Sequence, residues 1–262
     1  MTSTVDIANS ALNLLGASNI AAFDENSKAA RVINQKYPSI RDDLFRQHSW
    51  NCLVRRTTLA QSATKPVVVA DTQDNPGCGG SGDTVGMLAA LLRNKAQGAL
   101  FGVVKDELAA AAAHKAGVGA EIELDLGGRT NLPGVEPFHG RFKVLVVNDG
   151  KYQTTGPVSQ GKPYNVGPSA LLSIDGVLVA VSSLRVQALD RTVFEHLGVD
   201  LTQQNIIVLK STCHYRAHFD PIAETTFAAL APGGHGANPA DYPYKKLRAG
   251  IRYYPLGPVH KV

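Results

Sequence analysis

The stretch SALLSIDGVLVAVSS, residues 169–183, constrains the fold of this chain more than any other. Two apolar runs meet at Asp175-Gly176, and an Asp-Gly pair supplies the positive backbone angles of a tight hairpin turn. The two runs are therefore expected as antiparallel neighbours in a buried sheet. Around them the pattern mixes strands and helices without regular alternation. Val67 to Ala70 is a compact apolar strand, followed by a glycine-rich loop and a helix over Leu88–Leu92. Asp106 to Lys115 is a second helix stopped at Gly117, and AEIELDLGG and GRFKVLVVNDG read as strands. Asp190 to Leu197 is a short helix closed by Gly198, and Asn205 to Lys210 is a strand. An alanine-rich helix is expected from about Pro221. These elements predict an α+β domain, a mixed sheet with flanking helices, over residues 66–262.

The first 62 residues follow a different grammar. Val5, Ala8, Leu12 and Leu15 recur at helical spacing, with Ser3 and Asp6 as a capping pair and Gly16 as a stop. Ala29, Ile33, Tyr37, Ile40, Leu44 and Trp50 continue the amphipathic pattern, interrupted at Pro38. A small all-helical segment over 1–62, joined through residues 63–65, is the expectation.

Composition excludes more than it selects. Lys and Arg number 26 against 22 Asp and Glu. The basic residues are scattered, so no nucleic-acid surface is expected. Cys52, Cys78 and Cys213 form no paired motif, which argues against a disulfide scaffold and for a reducing interior. The N-terminus lacks signal-peptide character and no run is long enough for a membrane span. The cytoplasm is the expected compartment.

Polar chemistry gathers in two places. The first is VVVADTQDNPGCGGSGDTVGMLAALL, residues 67–92. A glycine loop between strand and helix offers backbone amides to an anion. Yet it has neither the lysine of a phosphate loop nor a GxGxxG fingerprint. Asp83 reads as a cap on the following helix, accepting amides near Val85 and Gly86, or as part of a loop edging a cleft. Asp71, Asp74, Asn75 and Asp83 carry hard oxygen donors, but without calcium-loop spacing or its closing glutamate. The second place is KSTCHYRAHF, where Lys210, His214, Arg216 and His218 follow a buried strand. The glutamate of HExxH is missing, and Cys213 beside His214 is poor geometry for a thiol and base pair. Arg216 reads equally as the partner of an acid at the core rim, with His218 packed inside.

The pieces DNPGCGGSGDT, AAAHKAGVGAEIELDLGG, SSLRVQALDRTVFEHLGVD and VLKSTCHYRAHFDPIAE, in that order, resemble the C-terminal region of the MlrC family. That family includes zinc metallopeptidases acting on linearised microcystin. The resemblance runs from about Pro66 to the closing Tyr253-Tyr254-Pro255-Leu256. It implies that Asp74, Asn75, Asp83, Lys210, His214 and Arg216 line a cleft facing another domain, none with an assigned catalytic role. The family's zinc ligands, an aspartate with histidines, belong to a large N-terminal domain. The segment ahead of Pro66 holds one histidine, His48. The resemblance thus implies no metal or other cofactor in this chain itself, and zinc only for the full-length family.

Residues 1–62 resemble the opening of phage tail tubular or head–tail adaptor proteins, through NSALNLLGA, the paired Ala29-Ala30 and RDDLFRQHSW. The functional expectation is a C-terminal domain that is non-catalytic alone, an accessory or remnant of a zinc-dependent amide hydrolase. Its partner would be a separate catalytic domain or a second copy, with a peptide-like substrate only if that domain is supplied. The alternatives are an adaptor-like structural protein and a hydrolase active only with a separately encoded N-terminal domain.

Overall fold

A computed structural model describes residues 64–252, apart from 133, 237, 238, 240 and 241, together with residue 27. The helical segment expected over 1–62 and the closing Tyr253-Tyr254-Pro255-Leu256 motif lie outside the described residues, that single position excepted. Where the description begins, strand β1 (Val67–Asp71) leads through two short 3-10 turns and the glycine loop into helix α1 (Gly86–Arg93). Strand β2 (Ala99–Lys105) and helix α2 (Glu107–Ala116) follow, then the long hairpin of β3 (Glu121–Leu126) and β4 (Phe138–Asn148). A two-stranded ribbon, β5 (Lys151–Gln153) with β6 (Pro163–Asn165), sits outside the main sheet. Strands β7 (Ser169–Ile174) and β8 (Val177–Ser182) form the expected hairpin. Both turn residues have positive φ, 45° at Asp175 and 85° at Gly176, as a tight Asp-Gly turn requires. Helix α3 (Thr192–Glu195), strand β9 (Ile206–Leu209), helix α4 (Arg216–Phe219) and strand β10 (Thr225–Ala229) complete the described elements.

The eight-stranded sheet runs β10-β1-β9-β2-β8-β7-β4-β3. From β10 to β8 the neighbours are parallel, and from β8 to β3 they are antiparallel. The parallel strands read as unbroken apolar runs, VVVA and IIVL, because both of their faces are buried. Alternate residues then enter different cores. Val67, Val69, Phe101 and Val208 pack with α1 and α2, through residues such as Leu88, Leu91, Ala109 and Ala113. Val68, Ala70, Leu100 and Leu209 pack on the other face with Phe194 of α3 and Phe219 of α4. Helices thus cover both faces, and no described helix is long and apolar enough to cross a membrane.

The helix expected from Pro221 is a strand instead. Residues 220–222 form one 3-10 turn, and Thr225–Ala229 then pairs in parallel with β1 from Val67↔Thr225 to Asp71↔Ala229. Two β-branched threonines and a phenylalanine favour extended backbone, and the edge of β1 offers them a complete ladder. The alanines of this segment were a misleading signal, since two residues of high helix propensity cannot outweigh five paired ones. Thr72 and Gln73 reinforce the strand's exit by donating side-chain hydrogen bonds to the carbonyls of Ala229 (2.8 Å) and Ala231 (2.7 Å).

Phe101 lies fully buried at the centre of the parallel region. Phe101→Ala is expected to lower unfolding stability by about 3–5 kcal/mol, read as an earlier urea midpoint.

Candidate functional site

In a mostly parallel sheet, polar chemistry concentrates where the strands end at their carboxyl edge. Here Asp71 is the last residue of β1, and Lys210 directly follows β9, its parallel neighbour. The Lys210 ammonium is fully buried and reaches Asp71 Oδ2 at 3.1 Å and Asp74 Oδ2 at 2.8 Å. It also donates to the carbonyl of Thr84 at 2.7 Å and to Thr84 Oγ1 at 2.9 Å. One wall of this pocket is the Phe101 ring, whose centroid lies 5.3 Å from the ammonium. A buried lysine is costly unless its charge is balanced, and two carboxylates and a carbonyl perform that balance.

The two carboxylates are not equivalent. Asp74 Oδ1 accepts from the Gly82 amide (2.7 Å) and Ser81 Oγ (3.2 Å). Its Oδ2 accepts from Thr84 N and Thr84 Oγ1, each at 2.9 Å, in addition to Lys210. Burial pushes the Asp74 pKa up, but the Lys210 charge and these hydrogen bonds outweigh it and hold it below the usual carboxylate range. Asp71 has only Lys210 and a 3.5 Å contact from Thr84, and its Oδ1 has no hydrogen-bond partner. Burial therefore dominates there and raises its pKa. For Lys210 burial acts downward, and the paired carboxylates overcome it to raise the pKa.

Asn75 continues the same construction. Its side chain donates to Thr212 Oγ1 at 2.7 Å and accepts from the Gly77 amide at 2.9 Å, while its carbonyl accepts from Cys78 and Gly80. The loop is thereby tied to the segment after β9. His214 is exposed and meets Gln187 at 3.2 Å, on the outer side of this tie.

Asp83 does not cap α1. The residue before that helix, Val85, provides no side-chain cap, and the Asp83 carboxylate turns instead to a loop 46 residues away. It accepts from the Arg129 amide at 2.7 Å and from Thr130 Oγ1 at 3.0 Å, while its carbonyl accepts from Gly128 N at 2.8 Å. Close approach demands glycine at this crossing. Gly127 has φ of 63°, and a Cβ there would lie 2.2 Å from the Asp83 carbonyl oxygen. Asp106 completes the junction, capping α2 through Leu108 and Ala109 while accepting from Gly127 N and Arg129 Nε.

Arg216 stands apart from all of these. It pairs with Asp220 at 3.6 Å, donates to Thr226 Oγ1 at 3.0 Å and lies over the Tyr215 ring. His218 is buried against Asp190, so the two histidines four residues apart serve different surroundings. Of the six candidates, Asp74, Asn75 and Lys210 come together, Asp83 braces the adjoining loop, and His214 and Arg216 lie outside. None of the six lines the open cleft at this edge, whose walls include Ser81, Lys105, Thr130 and Arg185. Thr84, which contacts Lys210 twice and Asp74 twice, closes the DNPGCGGSGDT stretch but was not among the candidates, since a threonine there reads as one more small polar loop residue.

Residues 69–246 match the family model described as the MlrC C-terminus. The chain belongs to that family. Among curated proteins it is similar to Microcystinase C from Sphingomonas sp., with 31% identity over 162 residues, which is 62% of this chain and 31% of that protein. A solved structure from Mesorhizobium sp. BNC1, provisionally assigned as a metallopeptidase, shares the fold with a TM-score of 0.68 at 24% identity. The match covers 80% of this chain and 42% of the other. This MlrC C-terminal chain thus spans about a third of the length of its curated relative.

The polar cluster does not suit zinc. Both oxygens of Asp74 are saturated by donors from the protein, and the lysine ammonium occupies the place between the carboxylates where a cation would sit. Among the described residues, no group of three or more His, Cys, Asp or Glu side chains is arranged to hold a metal.

Lys210→Met leaves two buried carboxylates without their counter-charge, and a stability loss of about 3–5 kcal/mol is expected in urea unfolding. Asp74→Asn is expected to cost more than Asp71→Asn at neutral pH, because Asp74 holds the loop and Asp71 is the less satisfied acid. The pH dependence follows from the directions of the shifts. The depressed Asp74 contributes stability above the ordinary carboxylate range, which is lost as pH falls through that range and below. The raised Asp71 has the opposite sign, so Asp71→Asn should flatten a different part of the acid limb than Asp74→Asn. Equal costs and identical acid profiles for the two variants would contradict this assignment.

Proposed function

We propose that this chain acts as the non-catalytic C-terminal part of an MlrC-type assembly, holding a rigid loop platform for a metal-binding domain supplied separately. The observation that carries the reading is the internal neutralisation of Asp71, Asp74 and Lys210. The groups best suited by type to acid–base or metal chemistry are spent inside the domain on fixing the glycine loop. A general acid or base must reach its substrate, and fully buried, mutually paired groups have no such reach. Zinc-dependent amide hydrolysis then belongs to the partner domain, and a peptide-like substrate enters only with it. The exposed free thiols of Cys78 and Cys213 support a reducing compartment such as the cytoplasm.

A second reading concerns residues 1–62 and rests on their NSALNLLGA and RDDLFRQHSW motifs. In it, the N-terminal segment is an adaptor-like helical unit that drives ring assembly, and the MlrC-type domain is carried on the ring.

One preparation tests both. The purified chain is expected to hold less than stoichiometric zinc by elemental analysis and to leave peptide amides uncut. Hydrolysis should appear only when an MlrC-type N-terminal domain is added. Stoichiometric zinc with activity in the chain alone would overturn the first reading. A monomeric mass by light scattering at micromolar concentration would remove the second.

A further inference from the structure

The carboxyl edge of the parallel strands carries a second polar feature that the buried cluster does not use. Lys105 is the last residue of β2, and Arg185 lies three residues beyond the end of β8, its parallel neighbour, where Lys105 pairs with Ser182. The stems of both side chains pack on the same glycine. A Cβ on Gly82 would lie 3.6 Å from Lys105 Cβ and 3.7 Å from Arg185 Cγ. Backbone and side chain fasten this arrangement, with Lys105 N donating to the Gly82 carbonyl at 2.8 Å and Arg185 Nη1 to the Gly80 carbonyl at 3.2 Å. The two cations therefore flank one loop and open onto one cleft of about 490 Å³. Ser81 and Thr130 bring hydroxyls to its lining, and Leu132 brings an apolar surface.

Each wall is held from behind by a buried acid. Asp74 fixes Ser81 and Gly82, and Asp83 fixes Thr130. Among the described residues, no carboxylate contributes to the lining. Among the described residues, the acidic partner of these cations is Glu107, 3.6 Å from Lys105 with both groups solvated, a pair weak enough to be exchanged for a ligand. The volume falls in the range of small-molecule sites and exceeds what a lone inorganic ion would fill.

We infer that this cleft binds an organic carboxylate, its acid group held by Lys105 and Arg185 and its carbon skeleton laid on Leu132. The site is a property of this chain and stands whether or not a catalytic domain joins it. The same chemistry is offered by a free small acid and by the acidic end of a peptide.

Calorimetric titration of the full chain distinguishes the two sources, using succinate for the first and N-acetyl-Gly-Glu for the second, with N-acetyl-Gly-Gln-amide as the uncharged control. One carboxylate per chain is expected to bind saturably, and the control not at all. Tighter binding of the peptide assigns the cleft to a chain end, and tighter binding of succinate assigns it to a free acid. Lys105→Met with Arg185→Met is expected to weaken binding by at least about tenfold, the scale of one lost charge-assisted hydrogen bond. Both side chains are at least partly exposed and only the Arg185 hydrogen bond to Gly80 and the solvated Lys105–Glu107 pair are lost, so the urea midpoint of the double variant should fall only slightly below that of the parent. Absence of saturable binding by either acid, or undiminished binding by the double variant, would overturn the inference.

Discussion

The contact between the Lys210 ammonium and the carboxylates of Asp71 and Asp74 fastens the ends of two paired strands to the loop that follows the first of them. Asp71 ends one strand, Lys210 follows its neighbour, and Asp74 begins the glycine loop. Apolar pairing of β1 with β9 brings the first two to the same edge, and hydrophobic burial is the larger driving force there. That force cannot say where an irregular loop goes, because glycines have little to bury. A buried charge can, since every donor and acceptor around it must be placed or the cost of desolvation goes unmet. The network thus acts on conformation more than on total stability. An apolar replacement of the whole cluster could hold the strands, yet it would leave residues 76–82 without a template.

From that centre, order passes outward through hydrogen bonds of short reach. Asp74 positions Ser81, Gly82 and Thr84, and Asn75 ties the other limb to Thr212. Asp83, three residues before α1 and flanked by these anchored neighbours, has its carboxylate free to catch the 127–130 turn. Gly127 permits the approach, and Asp106 closes it from α2. A loop rich in glycine would ordinarily be the most variable part of a domain. Here it is one of the most determined, because its backbone amides are claimed one by one, those of Gly77, Cys78 and Gly80 by Asn75 and those of Gly82 and Thr84 by the buried Asp74.

Much of this was legible in the sequence where the signal was local. The Asp175-Gly176 hairpin, the apolar runs of β1 and β9, and the stop of α2 at Gly117 depend on residues close in the chain, and each forms as its neighbours dictate. The errors share the opposite property. Asp83 had a helix three residues away and a stronger partner 46 residues away, and spacing alone favours the near one. Thr225–Ala229 had helix-prone alanines, and the parallel edge that decides its conformation lies more than 150 residues earlier. Lys210 was visible as a polar residue after a strand. Its burial depended on Thr84 and Asp71 arriving from elsewhere, and so was not visible.

The same separation of near and far bears on what the family motif selects for. DNPGCGGSGDT looks like a binding loop because binding loops are also made of glycine and small polar residues. In this fold its polar side chains point inward and its glycines bring two neighbouring strands' cations, Lys105 and Arg185, against one wall. The motif residues are therefore the frame, and the groups free to meet a ligand come from outside the motif. Lys105 ends one strand and Arg185 lies just beyond the end of another, so the parallel register sets where both stems start. A glycine at position 82 lets both stems pack close. Replacing it would add a Cβ between them at a backbone φ of 76°, which disturbs the loop and the spacing of the charges together. Architecture and recognition in this domain thus meet at a residue with no side chain, and the buried salt bridge is what keeps that residue in place.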